Sequence, residues 1–114
     1  MHHFKANIHF EDLSCDLKDV DIHIYVEDLS EVDAPPKILS ESHLLGVSIK
    51  QAEGVFNTDV EYPEVSPDVE LSMRIHVDTT GSGTMAEGDY FTTSVHRIEQ
   101  HSASRQEDVY LSRI

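Results

Sequence analysis

Eight histidines and twenty-two carboxylates in 114 residues are the groups of this chain that can do chemistry. His9, His23, His76 and His96 each fall on the polar face of an alternating segment. Pairing of the first two strands would bring His9 to His23, and pairing of the fifth with the sixth would bring His76 to His96. Two imidazoles with a carboxylate such as Asp78 or Glu27 form a donor set for zinc or a similar ion. No HxH or HxxxH pair occurs within a strand or helix, so the expectation is surface histidines, hydrogen-bonded or solvated, and no metal. Unperturbed, they gain charge near pH 6.5, so acidification reduces the negative charge of the chain.

A second reading of the same groups is acid–base catalysis on a small molecule held in a sheet pocket. Asp59, Glu61, Arg74, His76, Tyr90 and His96 lie on the middle and late strands and are the candidates. Other chemistries lack their signatures. The acidic clusters follow no D-x-D-x-D-G loop with a distal Glu. Ser82 between Gly81 and Gly83 lacks the strand–turn–helix setting of a nucleophile elbow, and no glycine pattern cradles a phosphate or dinucleotide, so no cofactor is expected.

The segments that would position these groups are extended. Val20, Ile22, Ile24 and Val26 alternate with Asp21, His23, Tyr25 and Glu27, the pattern of a half-buried strand. Phe4 to Phe10, Phe56 to Tyr62, Leu71 to Asp78 and Tyr90 to Ile98 repeat it, the last with Phe91, Thr93 and Val95 on one face. Lys37 to Glu41 and Val109 to Ile114 add shorter strands. Pro35 and Pro36 fix their own φ and bias the residue before each, so the chain reverses at 33–36. No window carries a capped helical period. Residues 42–54 read as a loop or a short helix around 48–53, 79–88 as a mobile glycine-bearing loop, and 99–108 as a solvated connector.

About seven strands predict an all-β, single-domain antiparallel β-sandwich over residues 1–114, with a small β-barrel as the alternative. A chain of this length buries roughly 65% of the surface that its unfolded form exposes. With 8 basic residues against 22 acidic ones, the formal charge of −14 repels phosphate backbones and anionic lipid, which excludes nucleic acid and membrane surfaces as partners. A protein or a small ligand remains. Cys15 has no partner for an intramolecular disulfide, and residues 1–12 hold no apolar run of a signal peptide, so a cytoplasmic location is expected.

Glu27, Asp28, Leu29 and Ser30, then Asp33, Ala34 and Pro35, then Ile38, Leu39 and Glu41 form a strand end, a turn and a short apolar strand ending in acid. Phe56, Tyr62, Val65, Pro67, Leu71, Met73 and Ile75 follow as a strand, a proline turn and an alternating strand. In this order the chain resembles the YbaY/YscW family of bacterial proteins across roughly residues 4–98. The resemblance implies a compact β-sandwich whose members are mostly non-enzymatic envelope lipoproteins, some of them pilotins that accompany a secretion-system partner. The chain departs from that pattern in showing no leader with a lipid-accepting cysteine, and in carrying residues 79–88 where a tight hairpin is usual. The function expected is a non-enzymatic binding or accessory module. The alternative is a cofactor-free isomerase, cyclase or hydrolase.

Overall fold

The computed structural model describes residues 2–11, 13, 15–30, 33–81, 83–84, 86–92, 96–98 and 105–114. Among the described residues eight strands form one sheet: β1 (His2–Phe10), β2 (Leu17–Asp28), β3 (Lys37–Ile49), β4 (Val55–Tyr62), β5 (Leu71–Asp78), β6 (Tyr90–Thr92), β7 (His96–Arg97) and β8 (Gln106–Arg113). Their order is β3-β2-β5-β6-β8-β1-β4, and β7 also pairs with β5. The two end strands meet where the Ser40 hydroxyl donates to the Glu61 carbonyl at 2.7 Å, so the sheet curls into a nearly closed, barrel-like sandwich.

Alternation decides which face goes inside. Val20, Ile22, Ile24 and Val26 of β2 and Leu71, Met73, Ile75 and Val77 of β5 are all buried, with Ile24 directly opposite Ile75. From the other side of the sheet, Phe4, Ala6, Ile8 and Phe10 of β1 and Val109 and Leu111 of β8 complete the core. Each fully buried aliphatic side chain contributes about 1.5–3 kcal/mol of transfer free energy, and a core without tryptophan rests on their number.

Several expectations are corrected. The first two strands do not pair: β1 lies between β4 and β8, antiparallel to the former and parallel to the latter, so the sheet is mixed rather than wholly antiparallel. Residues 42–49 are neither loop nor helix but the second half of β3, and a turn at 51–53 follows. The segment 90–98 contains two strands, β6 and β7; Thr93 and Val95 lie outside the described residues. Of the expected connector, 99–104 also lie outside them, and 106–108 already belong to β8.

The faces of β5 are less simple than its alternation. Ser72, His76 and Asp78, on its polar side, are buried along with the apolar residues, and Arg74 alone is exposed. Its ladder partners explain part of this, since β2 flanks one edge and β6 and β7 the other.

Candidate functional site

Antiparallel register sets His23 of β2 opposite His43 of β3 on one side and opposite His76 of β5 on the other. Directly opposed side chains stand about 4.5–5.5 Å apart at Cβ, so the three imidazoles form a row across the outer face. The His23 and His43 rings meet edge to face with centroids 4.3 Å apart and planes at 80°. His23 and His76 are stacked at 5.7 Å. Burial, followed by the positive charges that His43 and His76 can carry, lowers the His23 pKa; Asp78 and Asp21 pull the other way and do not cancel it.

The row is anchored at one end by a buried acid. Asp89 is fully buried, and its Oδ2 lies 2.8 Å from His76 Nε2. The same carboxylate accepts from the Thr79 amide at 2.8 Å, the Thr79 hydroxyl at 2.9 Å and the Ala86 amide at 3.0 Å. Burial pushes its pKa up, but these donors outweigh burial and hold it below the usual carboxylate range. An ionised carboxylate only accepts, so His76 Nε2 carries the proton.

Asp78 works in the same way eleven residues earlier. Burial raises its pKa, and amides of Gly83, Thr80 and Gly81 together with the Thr80 hydroxyl more than reverse the effect. Gly81 and Gly83 have φ of 72° and 79°, a left-handed region that glycine enters without steric cost. That conformation turns both amides onto one carboxylate at 2.9 Å. The described part of the 79–88 segment is thus fastened at both ends by buried acids. At the opposite end of the row, His43 Nε2 donates to Glu41 Oε1 at 3.0 Å on the exposed edge strand.

The other candidates lie elsewhere. His9 stacks on Tyr110 at 4.6 Å and reaches Asp108 at 3.0 Å, on strands β1 and β8. His96 stands opposite Met73 on the inward side, 2.9 Å from Glu107, and does not approach His76. Tyr90 is buried against Phe10 at 5.3 Å. Arg74 lies over the Tyr25 ring at 4.3 Å and pairs with Glu27 at 3.1 Å. Asp59 and Glu61 are exposed on β4, opposite Lys5 and His3. The six proposed acid–base groups therefore occupy both faces and four different strands. A hollow of about 380 Å³ between the start of β2 and the end of β3 is lined by Leu17, Ile49, Lys18, Lys50 and others, and by none of the six.

His43, Asp89 and Glu107 complete these clusters without having been singled out in the sequence. His43 sat in a stretch that showed no strand period, and the two acids are recognisable only through partners 13 and 11 residues away. Among the described residues no three metal-ligating side chains are gathered round one point, and no helix is long and apolar enough to cross a membrane.

The class this architecture defines is a small all-β domain built on one nearly closed sheet. No protein-family model matches the chain, and no curated protein matches it. A solved structure does: an alternative pilotin from the type II secretion system of Vibrio cholerae, at a TM-score of 0.70 and 11% identity, over 99% of this chain and 96% of that one. At that identity the likeness is one of fold.

Proposed function

We propose that the chain is a non-enzymatic accessory module that binds a protein partner, as a pilotin does, and that the partner docks along the outer edge of β3. The observation that carries the reading is this edge. β3 has 13 residues, pairs in the sheet with β2 alone among the described strands, touches β4 at Ser40, and beyond that contact presents Leu45 at 73% exposure. A long strand with one free row of amides and carbonyls is a template for an added strand, and exposed apolar side chains on it give the addition selectivity. The pilotin fold of the solved neighbour and the resemblance to the YbaY/YscW family support the same role. The charge of −14 favours a basic partner and disfavours nucleic acid.

A photo-crosslinking amino acid at Leu45, with a second at exposed Tyr110 on β8 as the control, tests this in the source cell. The expected result is a crosslink from position 45 alone to a secretion-system protein. Crosslinks of equal yield from both positions, or from position 110 alone, overturn it. Cell fractionation in the same experiment decides between the cytoplasmic location expected from the sequence and the envelope location of the resembled family.

A further inference from the structure

We propose that the row of His43, His23 and His76 is a proton-operated latch: acidification places like charge between β2 and β3 and releases the edge strand β3 from the sheet. His23 is the central ring, edge to face with His43 at 4.3 Å and stacked on His76 at 5.7 Å. Both flanking rings have a carboxylate at hydrogen-bond distance, Glu41 at 3.0 Å from His43 and Asp89 at 2.8 Å from His76. His23 has none among the described residues. A proton added to a flanking ring is therefore accompanied by an acid, whereas one added to His23 meets two imidazoles that carry charge of the same sign.

The charged groups around His23 come from every neighbouring strand. Asp21 precedes it by two residues on β2, Asp78 stands opposite Asp21 on β5, Glu41 is committed to His43, and Asp89 to His76. Arg74 lies over the Tyr25 ring and pairs with Glu27, and Phe91 of β6, opposite His76, is neutral. Asp21 and Asp78 favour a charge on His23, but burial and the two histidines outweigh them. The strand that gives way is β3. β5 is laddered on both edges, and its histidine is held by a buried acid. β3 pairs with β2 alone among the described strands, its ladder is already shifted on both sides of the His23–His43 pair, and its inward Ser40 and Ser42 are only half-buried. With β3 as the docking edge, the latch makes partner affinity fall in acid; that consequence rests on the reading above, whereas the latch itself does not.

Amide hydrogen exchange of the full chain, followed by NMR at pH 7.5 and pH 5.5 and referred to the unstructured rate at each pH, reads the latch directly. Like charges at ring-contact distance on a hydrated face shift an equilibrium by about fivefold or more. The expected result is a loss of protection of about that size at the β3 amides bonded to β2, against less than about twofold at the β2–β5 ladder. His43→Gln, on an exposed strand position where folding is not at stake, abolishes the selective loss. His23→Gln does the same, and His9→Gln on β1 keeps it. Equal loss at both ladders, an unchanged β3, or the same selective loss in His23→Gln or His43→Gln overturns the proposal. A position-45 crosslink absent at both pH values refutes the docking reading alone, because the exchange result is independent of it.

Discussion

Replacement of Asp89 by Asn tests whether the buried acid is what fastens the 79–88 segment to the sheet. The substitution keeps the shape and removes the charge. Four donors converge on this carboxylate: the Thr79 amide and hydroxyl on Oδ1, and the Ala86 amide and His76 Nε2 on Oδ2. An Asn side chain offers one acceptor oxygen, so its NH₂ must face donors on the other side. His76 can change tautomer and accept, whereas a backbone amide cannot. Leaving one buried donor unmatched costs about 1–3 kcal/mol, and each hydrogen bond to a charge is worth about 1.5–3 kcal/mol net. Because these terms overlap, the expected loss is about 3 kcal/mol. For 114 residues the unfolding entropy is about 0.24 kcal/mol/K, so the midpoint falls by about 12 °C. Thermal unfolding by circular dichroism reads this, and a cycle with His76→Gln adds a coupling of at least about 1 kcal/mol. The sign with pH follows from the depressed native pKa. The Asp89 contribution is complete above the unfolded value near 3.9 and is lost as pH falls through the lower native one. The gap between wild type and variant therefore closes in acid. A loss under about 0.5 kcal/mol at neutral pH, strict additivity with His76→Gln, or a gap that persists at low pH refutes the reasoning.

Gly46 has φ of 65°, and a Cβ built there stands 3.3 Å from Asp19 Oδ1, so Gly46→Ala lowers stability by about 1–2 kcal/mol in urea unfolding, with an unchanged m-value. Ile75 is fully buried opposite Ile24 at the centre of the sheet, so Ile75→Ala leaves a cavity and costs about 2–5 kcal/mol by the same measurement. His23, whose native pKa is lowered, takes up a proton more readily when unfolded, so part of the stability is lost as pH drops below about 6.5. A pH series of unfolding midpoints shows that acid-side slope in the wild type and a weaker one in His23→Gln. Leu45→Glu on the exposed edge leaves the unfolding midpoint within about 2 °C while abolishing co-purification of the protein that the position-45 crosslinker captures.

The strands that the sequence marks clearly are those that bury one face against a full set of neighbours. Val20 to Val26 and Leu71 to Val77 alternate without interruption because β2 and β5 each have a ladder on both edges, and every inward position belongs to the buried apolar core. β3 shows no such pattern for a physical reason. As an edge strand its inward positions opposite Ile24 and Val26 are Ser42 and Ser40, which are only half-buried. A register shift between Val20 and Ile22, close to Gly46, then breaks the period again. Leu44, Leu45, Val47 and Ile49 consequently look like neither a strand nor a helix. The histidine at 43 is hidden with them, and with it the row that the register creates. Strand order was hidden for a different reason: β1 pairs with β4 and β8, and nothing local to residues 2–10 distinguishes those partners from β2.

Acids illustrate the limit most sharply, because a carboxylate is read from sequence as solvent-facing. Asp68, exposed on a turn beside Ser66, fits that reading, and Asp28 at the end of β2 accepts from the Ser30 amide. Asp78 and Asp89 have the same side chain, yet both are buried and held ionised. What separates them is the supply of donors. Gly81 and Gly83 take a left-handed backbone that aims their amides at Asp78, and the return of the chain to β6 brings Asp89 onto Thr79 and His76. Burial of a charge is affordable only where such donors already converge. The glycines that mark 79–88 as a loop are therefore also what lets Asp78, the last residue of β5, be buried, and a substitution at Gly81 or Gly83 acts on Asp78 before it acts on the loop.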